Sequence, residues 1–151
     1  MRKVSSEQEL NKVRESQLTA ERHGNIWRTE NYLLPLIDRL FSDRSEKKSV
    51  KILSVGCGNG EDVDTVIEHG YSGIGVDPGY RSEEWGVRKH KECFIAVDGK
   101  KLPFPSNDFD FVMSHGVIEH IGAVGDSLEL LPDYQEHRKK YADEMIRVTK
   151  K

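Results

Sequence analysis

The chain has 151 residues, 36% hydrophobic and 32% charged, with 23 Lys and Arg against 26 Asp and Glu for a net charge of −3. A chain of this length can bury one core without a disulfide or structural metal, so a stapled miniprotein is excluded. The near-balanced charge supplies no field to draw in a nucleic-acid backbone or an anionic bilayer.

The N-terminal stretch 1–22 is polar where a signal peptide would carry an apolar core, and no run approaches the roughly 20 apolar residues of a membrane span. Two cysteines, Cys57 and Cys93, lie far apart without CxxC spacing, which suits a reducing compartment and points to the cytoplasm. Residues 1–48 read as a helical cap, in which Leu33, Ile37, Leu40 and Phe41 recur at three- and four-residue steps. Pro35 falls inside that pattern, so a helix either begins there or kinks there. The polar stretch 42–49 connects to a second kind of sequence.

From residue 49 to 151 the pattern is α/β. Candidate strands are 50–55, 73–76, 93–97 and 109–114, apolar at nearly every position and so suited to a parallel sheet covered on both faces. Residues 61–69 form a helix closed by Gly70, which makes the first unit β-α-β. Pro132 and Asp133 open a last helix through Tyr134, Arg138, Tyr141, Met145 and Val148. The predicted fold is a Rossmann-like, doubly wound, mainly parallel sheet with an N-terminal helical cap.

The strongest local signal is the strand that runs into Gly56-Cys57-Gly58-Asn59-Gly60 and then a helix. Glycines permit the tight turn and let a ligand lie against the backbone. Asp77 ends the next strand about 20 residues after Gly56, the spacing at which a carboxylate reaches ribose hydroxyls. The glycines read GxGxG rather than GxGxxG, which disfavours an NAD-dependent oxidoreductase, and no GxxxxGK supports a nucleotide triphosphatase.

Four segments in order, ILSVGCGNG (52–60), GIGVDPG (73–79), AVDGKKLPFPSNDFDFV (96–112) and SHGVIEHI (114–121), resemble the class I S-adenosylmethionine-dependent methyltransferases, of the methyltransferase type 11 kind. The resemblance implies a methyl transfer from S-adenosyl-L-methionine to an O- or N-nucleophile of a small molecule. It puts Gly56, Cys57, Gly58, Asn59 and Gly60 under the methionine and ribose. Asp77 and Pro78 follow at the ribose, Asp98 and Gly99 beside the adenine, and Ser114 and His115 at the methionyl end. His115, Glu119 and His120, at what reads as a helix start after the fourth strand, are the candidates for a catalytic base; the same side chains could equally serve a helix end.

Two departures from the family pattern matter. Ser54 stands where an acidic residue often precedes the first glycine by two, which implies weaker cofactor binding. Some relatives bind a divalent metal through ExxEH, but here Gly116 replaces the first Glu. His115 and His120, five apart on a helix, would also point about 140° away from each other. No metal is expected. The acceptor would be recognised by the cap, including Trp27 and Tyr32, and by residues 122–132. The resemblance also implies that strands one to four are present without the C-terminal ones. The fourth strand would then be an edge covered by another copy or by a further segment, and a non-catalytic S-adenosylmethionine-binding module is the alternative reading.

Overall fold

Pro35 decides how the N-terminal helices meet. It has no N–H to donate, and its ring crowds the carbonyl four residues back, so a regular α-helix cannot run through it. In the computed structural model, which describes residues 7–151 apart from Tyr80, Asp126 and Leu128, helix α1 (Glu7–Arg28) instead widens into a π-helical turn (Thr29–Leu33). Helix α2 (Leu34–Leu40) follows with Pro35 in its first turn. Of the two sequence alternatives, a helix that begins at Pro35 is the one seen, since α2 carries it in its first turn, with the irregular π-helical turn joining α2 to α1. Side chains satisfy carbonyls around it: Thr29 Oγ1 donates to Asn25 O at 2.9 Å and Asn31 Nδ2 to Trp27 O at 2.7 Å. Residues 1–6 of the polar N-terminal stretch, and two positions of the 122–132 segment, lie outside the described residues. No described helix is long and apolar enough to cross a membrane.

Strands β1 (Lys51–Val55), β2 (Ser72–Asp77), β3 (Phe94–Ala96) and β4 (Phe111–Met113) form one parallel sheet in the order β3-β2-β1-β4. In register, Leu53 faces Ile74 on one side and Val112 on the other. Helix α3 (Glu61–Glu68) links β1 to β2, the short α4 (Ser82–Trp85) precedes β3, and α5 (Tyr134–Val148) follows β4. Because alternate residues of a strand face opposite sides, β1 serves two cores. Ile52 packs with Leu34, Ile37 and Val66 beneath α2 and α3, whereas Leu53 and Val55 pack with Phe109, Tyr141 and Val148 beneath α5. A third cluster joins Cys57, Val63 and Trp85, with Trp85 stacked on Phe94 at 5.5 Å.

The expected strands are all present; β1, β3 and β4 are shorter than expected, and β2 is longer by one residue at each end. Cys93 belongs to a 3-10 turn, and the run expected over 109–114 pairs as a strand only from Phe111. Asp110 explains the second difference: its carboxylate accepts the Lys51 N–H at 2.9 Å, taking a place that a backbone carbonyl would hold in the ladder. The expectation of cover on both faces fails for β3, where Ile95 and Ala96 are exposed. That strand lies at the sheet edge, and only the four-residue α4 and turns precede it. Beyond α5 the chain turns back along the start of β4: Phe109 and Thr149 form a parallel bridge, and Lys150 N donates to Phe109 O at 2.8 Å.

Candidate functional site at the glycine turn

At the C-terminal end of β1 the backbone N–H groups of Gly56 and Cys57 both donate to Val76 O, at 2.7 and 3.0 Å, which folds the turn tightly against β2. Gly56 has φ +77°, and a Cβ there would meet Val117 at 2.4 Å, so both the conformation and the space require glycine. The turn is held from outside by side chains that no local motif announces. Trp85 Nε1 donates to Gly58 O at 2.7 Å, Arg88 Nε to Asn59 O at 2.8 Å, and Tyr141 Oη to Val55 O at 2.9 Å.

Asp77, at the end of β2, faces this turn. Its two carboxylate oxygens accept the N–H groups of Gly58 at 3.1 Å and Gly79 at 3.2 Å, which fixes its orientation. Together they line an open cleft of about 800 Å³ at the C-terminal edge of the sheet. This edge is where open α/β sheets bind ligands.

Of the residues singled out in the sequence, Gly56, Cys57, Gly58, Asn59, Asp77, Pro78, Asp98, Gly99, His115 and His120 line the cleft. Gly60, Ser114 and Glu119 are not on its lining. Gly60 caps α3 and lies against the Phe94 ring, which a Cβ would strike at 2.4 Å. The Ser114 hydroxyl is hydrogen-bonded to Tyr141 Oη at 2.7 Å. Gly99 leaves room for the Tyr141 ring, 2.5 Å from where a Cβ would stand. Asn59 is buried, with its Nδ2 donor unpartnered among the described residues. Burial, followed by the charges of Asp62 and Asp77, pushes the Cys57 thiol well above its ordinary range, which disfavours the thiolate.

The segment after β4 corrects the sequence reading. Residues 115–121 form turns and not the start of a helix: His120 N donates to Val117 O at 2.9 Å and Ile121 N to Ile118 O at 3.3 Å. Gly116 (φ +64°) and Gly122 (φ +78°) bound the segment in left-handed conformations. The Ile121 carbonyl is taken by Arg138 Nε of α5 at 3.1 Å. The helical angle between His115 and His120 therefore has no bearing here. Among the described residues no three His, Cys, Asp or Glu side chains are grouped to hold a metal ion.

His115 Nε2 lies 2.8 Å from Arg28 Nη1. A guanidinium can only donate, so Nε2 accepts and the imidazole is neutral with its proton on Nδ1. Burial, and then the Arg28 charge, lower the His115 pKa against the opposing pull of Glu119. The nitrogen that would serve as base is thus occupied.

Helix α1 supplies one wall of the cleft through Glu21, Asn25 and Arg28, continued by Thr29 of the π-helical turn. The first three recur at four- and three-residue steps, a polar face visible in the sequence but not read as part of a site. Ion pairs hold the helix down: Arg22 to Glu61 and Glu84, both at 3.3 Å, and Glu21 to Arg81 at 2.6 Å.

A carboxylate also stands beside Ser54. Ser54 Oγ donates to Asp62 Oδ2 at 2.6 Å and Val63 N to Asp62 Oδ1 at 2.8 Å, and Asp62 lines the cleft. Burial lifts its pKa to about 6, against the lowering by those hydrogen bonds. A carboxyl whose pKa is raised on folding binds its proton more tightly in the folded state. Its stabilising contribution is full below the unfolded value near pH 4 and is lost as pH rises through about 6. Asp62→Asn is expected to raise stability at pH 7.5 by about 1–3 kcal/mol relative to its effect at pH 4. Urea unfolding at the two pH values checks this; an equal effect at both refutes it.

A family model described as a methyltransferase domain matches residues 53–151. No curated protein matches the chain. Among solved structures, a Pyrococcus horikoshii OT3 protein is similar at 25% identity and TM-score 0.56, covering 78% of this chain and 47% of that one. A chain in the complex of the Haloferax volcanii Trm112 methyltransferase activator with a methyltransferase is similar at 16% identity and TM-score 0.56, covering 89% and 54%. An Archaeoglobus fulgidus SAM-dependent methyltransferase is similar at 22% identity and TM-score 0.51, covering 78% and 48%. The chain therefore spans about half the length of these structures. The family match takes in the larger part of the chain, including the strand, glycine turn and helix that build the cleft, and the chain belongs to the class I S-adenosylmethionine-dependent methyltransferases.

Proposed function

We propose that this chain binds S-adenosyl-L-methionine in the cleft and directs its methyl group to an O- or N-nucleophile of a small molecule. The observation that carries the reading is Asp77: a carboxylate at the end of β2, held by the Gly58 and Gly79 N–H groups and lining the cleft beside the glycine turn. The residues fit the cofactor's chemistry. Asp77 has lone pairs for a pair of ribose hydroxyls, the left-handed Gly58 leaves backbone free of Cβ, and the buried Asn59 Nδ2 has a donor to give. Asp98 and Gly99 stand at the adenine end of the same cleft and His115 at the methionyl end.

When bound, the cofactor supplies an electrophilic methyl group. The protein then has to align the acceptor and exclude water. Helix α1 closes one side of the cleft, and the turns at 115–122, held by Arg138, close another. If the acceptor must lose a proton, His115 Nε2 can take it once Arg28 is drawn away, and His120 lies on the same lining.

Calorimetric titration with S-adenosylmethionine and with NADH tests the reading. Micromolar binding of S-adenosylmethionine alone is the expected result. Binding of NADH in its place overturns it in favour of an oxidoreductase. S-adenosylmethionine binding with no methyl transfer to any small-molecule acceptor leaves the non-catalytic module.

A further inference from the structure

Beside the cleft, on the far side of Arg28 and His115, a smaller recess of about 460 Å³ opens between helix α1 and the turn after β4. It is lined by Gly24, Trp27, Arg28, Tyr32, Leu33 and His115, and Arg28, Leu33 and His115 also line the main cleft, so the two spaces adjoin. We propose that this recess is the acceptor site, and that it takes a small molecule bearing one carboxylate on an apolar body, the carboxylate on Arg28 and the body against Trp27, Tyr32 and Leu33. That it holds the acceptor rests on the methyltransferase reading above; that it binds such a molecule does not.

The apolar wall is conspicuous for its exposure. Trp27 is 56% exposed and Tyr32 62%, although their rings meet edge to face at 5.4 Å and form one continuous surface. No described residue beyond its own helix lies within 4 Å of where a Cβ on Gly24 would stand, so the space beside it is open. Exposed aromatic area at the rim of a concavity marks a binding surface more often than an isolated exposed residue does.

Arg28 supplies the polar anchor. Its neighbours Arg22, Arg81 and Arg88 are each paired with a carboxylate. Arg28 has no carboxylate partner among the described residues; it donates to the Asn25 side-chain oxygen and to His115 Nε2, both neutral. A partly buried guanidinium bonded only to neutral acceptors can exchange them for an anion, because charge-assisted hydrogen bonds are roughly twice as strong. The planar fork matches a carboxylate with two parallel N–H bonds. Among the described residues that line the recess, Arg28 is the one arginine or lysine, which suits a monoanion. A dianionic phosphate would lack a second.

Seating a carboxylate on Arg28 has a further consequence. The N–H that occupies His115 Nε2 turns to the ligand, and that lone pair becomes free to accept a proton. The acceptor would then expose its own base on arrival.

The test uses the full chain and two matched pairs of probes: 3-phenylpropionate with 3-phenylpropanamide, and hexanoate with hexanamide. Binding is read from the indole N–H resonance of Trp27, assigned with Trp27→Phe. The expected result is that each carboxylate binds at least roughly tenfold more tightly than its amide, and that Arg28→Gln abolishes the preference by weakening the carboxylate more than the amide. Equal affinity within each pair, a preference that survives Arg28→Gln, or no shift from either carboxylate at about 10 mM overturns the proposal. The wild-type comparison needs no variant to fold. Titration of S-adenosylmethionine into the same sample separates the two readings: carboxylate binding without cofactor binding sinks the methyltransferase reading and with it the acceptor role, leaving the recess as a carboxylate site, and cofactor binding without carboxylate binding sinks only the recess.

Discussion

Replacing Asp77 with alanine is expected to weaken S-adenosylmethionine binding by about 1.5–3 kcal/mol, roughly 10- to 150-fold in Kd, the scale of hydrogen bonds to a charged group. The carboxylate sits at the end of β2, inside the cleft, with each oxygen already accepting one backbone N–H, from Gly58 and from Gly79. Each oxygen retains a lone pair, so a diol can be received without breaking the contacts that orient the group. Alanine removes both functions at once. It takes away the acceptor for the ribose and leaves two turn N–H groups to find water. Asp77→Asn separates these effects, because the amide keeps one acceptor for the turn but loses the charge and one acceptor. The asparagine variant should therefore fall between wild type and alanine in affinity, with an unfolding midpoint close to wild type. Unchanged affinity in a folded alanine variant would remove the ribose assignment.

The largest stability loss is expected at Phe109, the lead-in to β4. It is 1% exposed, packs edge to face on Phe104 at 4.9 Å, and carries the Lys51 ammonium 5.2 Å from its ring centroid. It belongs to the cluster that joins β1, α5 and the 96–112 segment. Phe109→Ala is expected to cost about 3–5 kcal/mol, since the cavity lies between elements that are pinned by hydrogen bonds and cannot collapse into it. Arg147 of α5 donates to Phe104 O at 2.8 Å and Leu102 O at 3.1 Å, and Leu102 N donates to Glu144 at 2.7 Å. In a domain of this size the loss corresponds to a fall in Tm of roughly 6–20 °C. Calorimetric unfolding of Phe109→Ala and Phe109→Leu gives the measurement. The leucine variant should keep most of the stability, and equal losses in the two would mean that the aromatic edge, not the filled volume, sets the effect.

What was legible in the sequence was local. The strand, glycine turn and helix at 51–68, the acidic end of β2 and the start of α5 at residue 134 depend on residues within a few positions of one another, so spacing alone conveys them. Element ends were less legible where a side chain stands in for backbone, as Asp110 does before β4. The turns at 115–121 were expected as a helix start because the resemblance places one after the fourth strand. That reading could not include Arg138, which comes from α5 and takes the Ile121 carbonyl.

The departure at Ser54 was legible as well, but its structural partner was not. The serine is one residue of a pair: Asp62, on the first turn of α3, brings a carboxylate to it from eight positions on, and only the angle at which α3 leaves the glycine turn makes that contact. The same holds for the wall of the cleft. Trp27 and Tyr32 are expected from the sequence as aromatics of an acceptor-recognising cap, whereas Arg28 enters only because the π-helical turn before Pro35 and the ion pairs of Arg22 and Glu21 lay α1 across the sheet edge and set its guanidinium against His115.

By itself, then, the 151-residue sequence determined the α/β architecture, the glycine turn with its acidic partner, and the family to which the chain belongs, because each is written in short-range spacing that the backbone must obey. Only the tertiary structure decided which polar groups share a space. A hydrogen bond or ion pair between residues far apart in sequence depends on how helices pack against the sheet, and that packing is settled by the whole core at once.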